Sequence, residues 1–105
     1  MYIYNITTNV DKSIHREWLI WVQESNIPKI LQTGYFSKAL MTQVLIKEEM
    51  GGYTYSVQFT SDSKEKLQNY FLKYEEDHLK EGKSLFENKF GTFTTVMKIV
   101  KEFNC

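Results

Sequence analysis

Tyr2-Ile-Tyr-Asn-Ile6 runs into Asp11 and then into a helical stretch holding Trp18, Leu19 and Trp21. Fifty-one residues on, Tyr53-Thr-Tyr-Ser-Val57 runs into Asp62 and a helical stretch holding Tyr70, Phe71 and Leu72. The same offset lays 37–47 over 88–98, and both segments read as strands. Identities across the halves are few (Tyr2/Tyr53, Tyr4/Tyr55, Asp11/Asp62, Lys38/Lys89, Lys47/Lys98), so the repeat is one of architecture and does not establish a duplication. Each half reads strand–helix–strand, and the chain reads βαββαβ.

That order predicts an α+β domain of ferredoxin-like plan, a four-stranded antiparallel sheet with two helices on one face, spanning 1–105. Side chains alternate across a strand, so the central strands can be sorted by face. Tyr2, Tyr4, Ile6, Tyr53, Tyr55, Val57 and Phe59 form the apolar set and are expected under the helices. Ile3, Asn5, Thr7, Thr54, Ser56 and Gln58 form the other set and are expected on the open face. The reverse choice would bury amides and hydroxyls without partners, at about 1–3 kcal/mol each.

Punctuation along the chain sets the element ends. Asp11 is expected to cap the first helix, and Asn26-Ile-Pro28 to break or kink it, with Asn26 capping a short restart that Gly34 ends. Glu48-Glu-Met-Gly-Gly52 is the expected hairpin turn. Asp62 with Glu65 has capping-box spacing, and Gly82 is expected to close the second helix. Residues 83–90 then read as a loop folding Leu85, Phe86 and Phe90 inward, before a last strand over 91–101.

Composition bounds the function. Lys plus Arg and Asp plus Glu are 13 each, so no net field draws in a polyanion. The single cysteine, Cys105, cannot close an internal disulfide, which suits a reducing cytoplasm. The first residues lack a basic stretch followed by an apolar run, and no apolar run reaches membrane-spanning length, so the expected location is cytoplasmic with no membrane contact. Aromatic residues make up 15% of the chain, enough to serve an interface as well as a core.

No motif assigns a catalytic residue. His15 and His78 lack metal-ligand spacing, so no metal and no cofactor is expected. His15 reads as an exposed first-turn residue, His78 as the edge of the stripe Leu67, Tyr70, Phe71, Tyr74, and Trp18 and Trp21 as core. A semi-polar uncovered sheet face predicts a homodimer closing a two-subunit barrel, a small-molecule binder or a small cofactor-independent enzyme, with Asn5, Thr7, Ser56 and Gln58 as its ligand-binding lining. The competing expectation is an interaction module with no ligand.

Two resemblances bear on this. Met1–Ile6 and Gly52-Tyr-Thr-Tyr55 resemble the first- and third-strand signatures of the RNA-recognition motif, which would make Tyr2, Tyr53 and Tyr55 base-stacking platforms. Gly51 stands where a basic residue belongs and Ser56 where a branched one does, which disfavours nucleic acid as a partner. The second resemblance covers nearly the whole chain. Met1–Asp11, Glu17-Trp-Leu-Ile-Trp21, Asn26-Ile-Pro28, Thr33-Gly-Tyr-Phe36 and Glu49–Phe59 together resemble a family of short bacterial proteins known only as a domain of unknown function. The resemblance implies a ferredoxin-like domain akin to the dimeric α/β-barrel group and brings no catalytic residues. The chain departs from the family pattern at Asn26, where a histidine is expected.

Overall fold

Alternation in two central strands decides the layering of the molecule. The computed structural model describes residues 1–45 and 51–105. Its elements run β1 (Tyr2–Val10), a 3-10 turn (Lys12–Ile14), α1 (His15–Trp21), a π turn (Val22–Asn26), α2 (Ile27–Gln32), β2 (Lys38–Val44), β3 (Tyr53–Ser61), α3 (Lys64–Tyr70), a second π turn (Phe71–Glu75), α4 (Glu76–Phe86) and β4 (Phe90–Lys98). The sheet order is β2-β3-β1-β4, every pair antiparallel. This is the ferredoxin-like βαββαβ plan, with two helical rods on one face of the sheet.

The face assignment holds. Tyr4, Tyr55, Val57 and Phe59 are buried under the helices, and Tyr2, Ile6 and Tyr53 pack partly buried beside them. The core has two lobes. One gathers Tyr4, Ile30, Phe36, Val57, Phe59, Leu67 and Tyr70, the other Val10, Trp18, Val22 and Tyr55. Tyr4 is the hub of the first, with Phe36, Phe59, Tyr70 and Phe71 ring centroids at 5.3–6.2 Å.

Several element ends fall elsewhere than the sequence rules put them. Pro28 stands in the first turn of the restarted helix α2, as expected, but the rod passes through it without a break. The widened π turn before it, with the Ile27 N–H reaching back to the Val22 carbonyl, relieves the clash that a proline makes with the carbonyl four residues earlier. Asn26 is accordingly helical and makes no side-chain cap. Asp11 does cap, accepting from the Ser13 N–H, although the turn it opens is 3-10. The second rod is capped by Ser63, in extended conformation and accepting from the Lys66 N–H, while Asp62 pairs with Lys66 instead.

Gly82 does not end that rod. It lies inside α4, buried, because a Cβ there would stand 3.2 Å from the Trp21 ring and 3.3 Å from Phe90. Packing room outweighs the roughly 1 kcal/mol that a mid-helix glycine costs. The helix continues to Phe86, so Phe86 and Phe90 turn inward as expected while Leu85 points out, 55% exposed. β4 stops at Lys98 and not at 101, because its last register partner on β1 is Tyr2.

Gly34 follows the first rod at φ +83°, as a helix-ending glycine should. Gly51 and Gly52 both have positive φ, as the hairpin needs, and a Cβ on Gly52 would lie 2.8 Å from the Val10 carbonyl. Glu48, Glu49 and Met50 of that expected turn, and Ile46 and Lys47 of the expected second strand, lie outside the described residues. Among the described residues, no helix is long and apolar enough to cross a membrane.

Candidate functional site

The open face forms a grid whose register is fixed by the pairing. Asn5 lies opposite Gln58, and Thr7 opposite Ser56. Asn5, the most buried of the four, is held from both sides. Its amide donates to Thr7 Oγ1 at 2.9 Å, and its carbonyl oxygen accepts from Ser56 Oγ at 2.5 Å. The strands thus bring the four predicted residues together, and three of them satisfy one another. The polar row is flanked by apolar side chains on the outer strands, Leu40 at 60% and Phe93 at 64% exposure, with Met97 beyond.

A second locus lies between the layers, where the two core lobes fail to close completely. A cavity of about 40 Å³ is walled by apolar side chains of both layers, Tyr4, Ile6, Val57 and Phe90 from the sheet and Trp18 and Ile30 from the first rod. That is room for about three waters, or for one small organic molecule. Polar groups interrupt the wall at Trp21, Asn26, His78, Thr8 and Thr92. The Trp21 indole N–H is buried without a hydrogen-bond partner, the one such side-chain atom among the described residues. A buried donor left unpaired costs about 1–3 kcal/mol, and that cost is returned by any acceptor placed against it.

His78 is the imidazole on that wall. It is buried, its Nδ1 lies 2.8 Å from the Tyr70 hydroxyl, and Tyr74 stacks on it at 5.7 Å. Burial chiefly, and then the Lys29 ammonium, hold its pKa below the usual 6.5, against the opposing pull of Glu81 and Asp77. Lys29 itself is paired to Glu81 at 2.8 Å. The ring is therefore neutral at pH 7. Burial also raises the hydroxyls of Tyr70 and Tyr4, the latter helped by its 2.7 Å donation to the Glu75 carboxylate.

The depressed histidine sets an acid limb on stability. The unfolded chain takes up a proton near pH 6.5 and the folded one only at lower pH, so stability is full above 6.5 and falls as pH drops toward the folded value. Urea midpoints measured from pH 7.5 to 5 should decline in the wild type and decline less in His78→Gln. Parallel curves would mean that His78 titrates as a free side chain.

His15 is not the exposed residue its position suggested. Its ring stacks on Tyr53 at 3.8 Å, and its Nε2 lies 2.6 Å from the Tyr55 hydroxyl. Tyr55 and Tyr53 thus face the helix layer and not the open face, where base-stacking platforms would have to stand. Sequence reasoning had listed Trp21 as core and His78 as a stripe edge. What it missed was their meeting at one cavity, for which Gly82 was the available signal, a small residue admitting a large ring.

Among the described residues, no group of three or more His, Cys, Asp or Glu is placed to hold a metal ion. Residues 1–100 match the family described as a domain of unknown function, DUF4286, and the chain belongs to that family. No curated protein matches the chain. Two solved structures of dimeric ferredoxin-like proteins from uncultured marine organisms share the fold. The first has TM-score 0.74 and 10% identity over 97% of each chain, the second 0.71 and 17% over 100% of each. SnoaB of Streptomyces nogalater, a cofactor-independent oxygenase, is similar at TM-score 0.61 and 6% identity, with 96% of this chain and 95% of that chain covered.

Proposed function

We propose that this member of the DUF4286 family is a homodimer that binds a small uncharged organic molecule in the cavity between its helices and its sheet. The buried, unpartnered indole N–H of Trp21, a residue of the mainly apolar cavity lining, carries this reading, because apolar pockets with a few polar groups are the usual form of a ligand site. The lining named above presents no carboxylate and no ammonium, which favours a neutral ligand bearing one hydrogen-bond acceptor. In the 15N-labelled protein, the Trp21 indole N–H resonance should shift on titration with hydroxyacetone, with the backbone amides of the exposed residues 101–105 as internal control. An unmoved resonance at saturating millimolar ketone would sink the cavity reading.

Dimerisation is supported by the apolar flanks of the open face and by the dimeric state named for two structural relatives. Leu40, Phe93 and Met97 would seal the seam of a two-subunit barrel, and the row Asn5, Thr7, Ser56 and Gln58 would line its interior as a second ligand surface. Stable interfaces bury roughly 1,200 Å² or more in total. Light scattering at micromolar concentration should give twice the 12.5 kDa chain mass. Phe93→Asp with Leu40→Asp should return it to one chain mass. A wild-type monomer at high concentration would overturn the barrel.

A further inference from the structure

Past β4 the chain runs on beside the open face. The Ile99 N–H donates to the Met1 carbonyl at 2.9 Å, and no further backbone hydrogen bond ties 100–105 to the described residues. The segment leaves Val100 92% and Phe103 80% exposed, with the Lys101 ammonium 5.1 Å from the Phe103 ring centroid. Isolated exposed side chains are ordinary, but these follow Met97 and Ile99 and so continue the bare apolar flank of the open face. A groove lies where segment and face meet. Ile3, Leu40 and Gln58 line it from the sheet, Lys38 stands on its β2 side, and Lys101 and Glu102 border it. Lys38 and Glu102 carry opposite charges, both are exposed, and neither forms an ion pair among the described residues. Fully extended, 99–105 spans about 20 Å, against about 14 Å from β4 to β2, so its far residues can reach beyond their own sheet.

Resting on the dimer reading, we propose that 99–105 is an exchanged arm, which lies in the groove of a second copy with Phe103 against the partner's Leu40 and Glu102 paired to the partner's Lys38. Two-fold symmetry makes the exchange reciprocal, so both grooves fill and both arms lose their exposed apolar surface. Charge complementarity selects this occupant. The groove offers one unpaired ammonium beside apolar side chains, and the arm offers one unpaired carboxylate beside a bare ring. The groove also takes in Gln58, one end of the polar row on the open face. The partner's arm roofs that end, so the row is a closed site only in the dimer.

The test mixes two full-length variants, Lys38→Glu and Glu102→Lys, and counts dimers by ion-exchange chromatography. Alone, each variant sets like charges together in both grooves and should raise the dimer dissociation constant roughly 10-fold at low salt. Mixed, they form a heterodimer with an opposite pair in each groove, which should exceed its statistical half of the dimers. An arm that stays on its own chain gives no such preference, because its like charges are then present in every dimer. Lys64→Glu mixed with Glu65→Lys carries the same charge changes on exposed positions of α3 and should pair at random. The excess should fade in about 1 M salt, where the screening length is about 3 Å. Phe103→Ser should weaken the dimer roughly 10-fold as well. A mixture no richer in heterodimer than the α3 control overturns the exchanged arm and leaves the face-to-face dimer standing, which the wild-type mass reports on its own. Single variants that dimerise as tightly as the wild type, Phe103→Ser included, also overturn the arm. A wild-type monomer at high concentration overturns arm and dimer together.

Discussion

Trp18→Ala is expected to cost about 3–5 kcal/mol of folding stability, the range for emptying a large aromatic site in a packed core. Trp18 is 3% exposed, sits with Val10, Val22 and Tyr55, and has the Tyr55 ring 5.3 Å from its own. It also walls the cavity, so its removal enlarges a void that already exists and leaves little scope for collapse. A domain of this size has roughly 5–15 kcal/mol in total. The urea midpoint should therefore drop by about a fifth or more, or the variant should be unfolded at room temperature. A midpoint within experimental error of wild type would mean that the second core lobe is not continuous with the first.

The paired change Tyr53→Ala with Tyr55→Ala should cost several kcal/mol for the same reason. Tyr55 is buried and bonded to His15, and Tyr53 carries the stacked His15 ring. Losing both rings strips His15 of its hydrogen bond and its stacking partner. The same pair discriminates against RNA binding. Stacking platforms lie in solvent, and removing them would spare stability while taking roughly 1–3 kcal/mol of affinity per base. Sub-micromolar binding of single-stranded RNA by the wild type, lost in a still-folded double variant, would reverse the face assignment.

The sheet was legible in the sequence because a period of two is rigid. Tyr4 and Phe59 cannot slip to the open face without carrying every neighbour with them. Helix ends were less legible because each is decided by something outside the local string. Gly82 is written like a stop, yet it marks the spot where Trp21 and Phe90 need the volume of a missing Cβ. Asp62 and Ser63 compete for one cap, and the extended backbone of Ser63 wins it. Pro28 is written like a break and is absorbed by a π turn that no residue type announces. The open-face row Asn5, Thr7, Ser56 and Gln58 followed from alternation alone. The meeting of His78 with Trp21 did not, because the residues sit in different halves and approach only through tertiary packing.

Those two π turns act as phase adjusters. Tyr70 and His78 are eight residues apart, which in a plain α-helix turns them about 800°, some 80° out of line. The wide turn Phe71–Glu75 lies between them and absorbs close to one residue. The pair then behaves as if about seven apart, near 700° and within about 20° of two full turns, which is the alignment their hydrogen bond needs. Trp18 and Asn26, also eight apart, reach the same cavity across Val22–Asn26. Loss of one residue from either turn would convert it to plain α-helix and keep the downstream phase, about seven residues at 100° giving the same 700°, whereas one residue lost elsewhere in the rod would swing everything downstream by about 100°. A single-residue deletion is therefore absorbed inside these two turns and nowhere else along the rods, because the number of α-helical steps is what aims His78 inward.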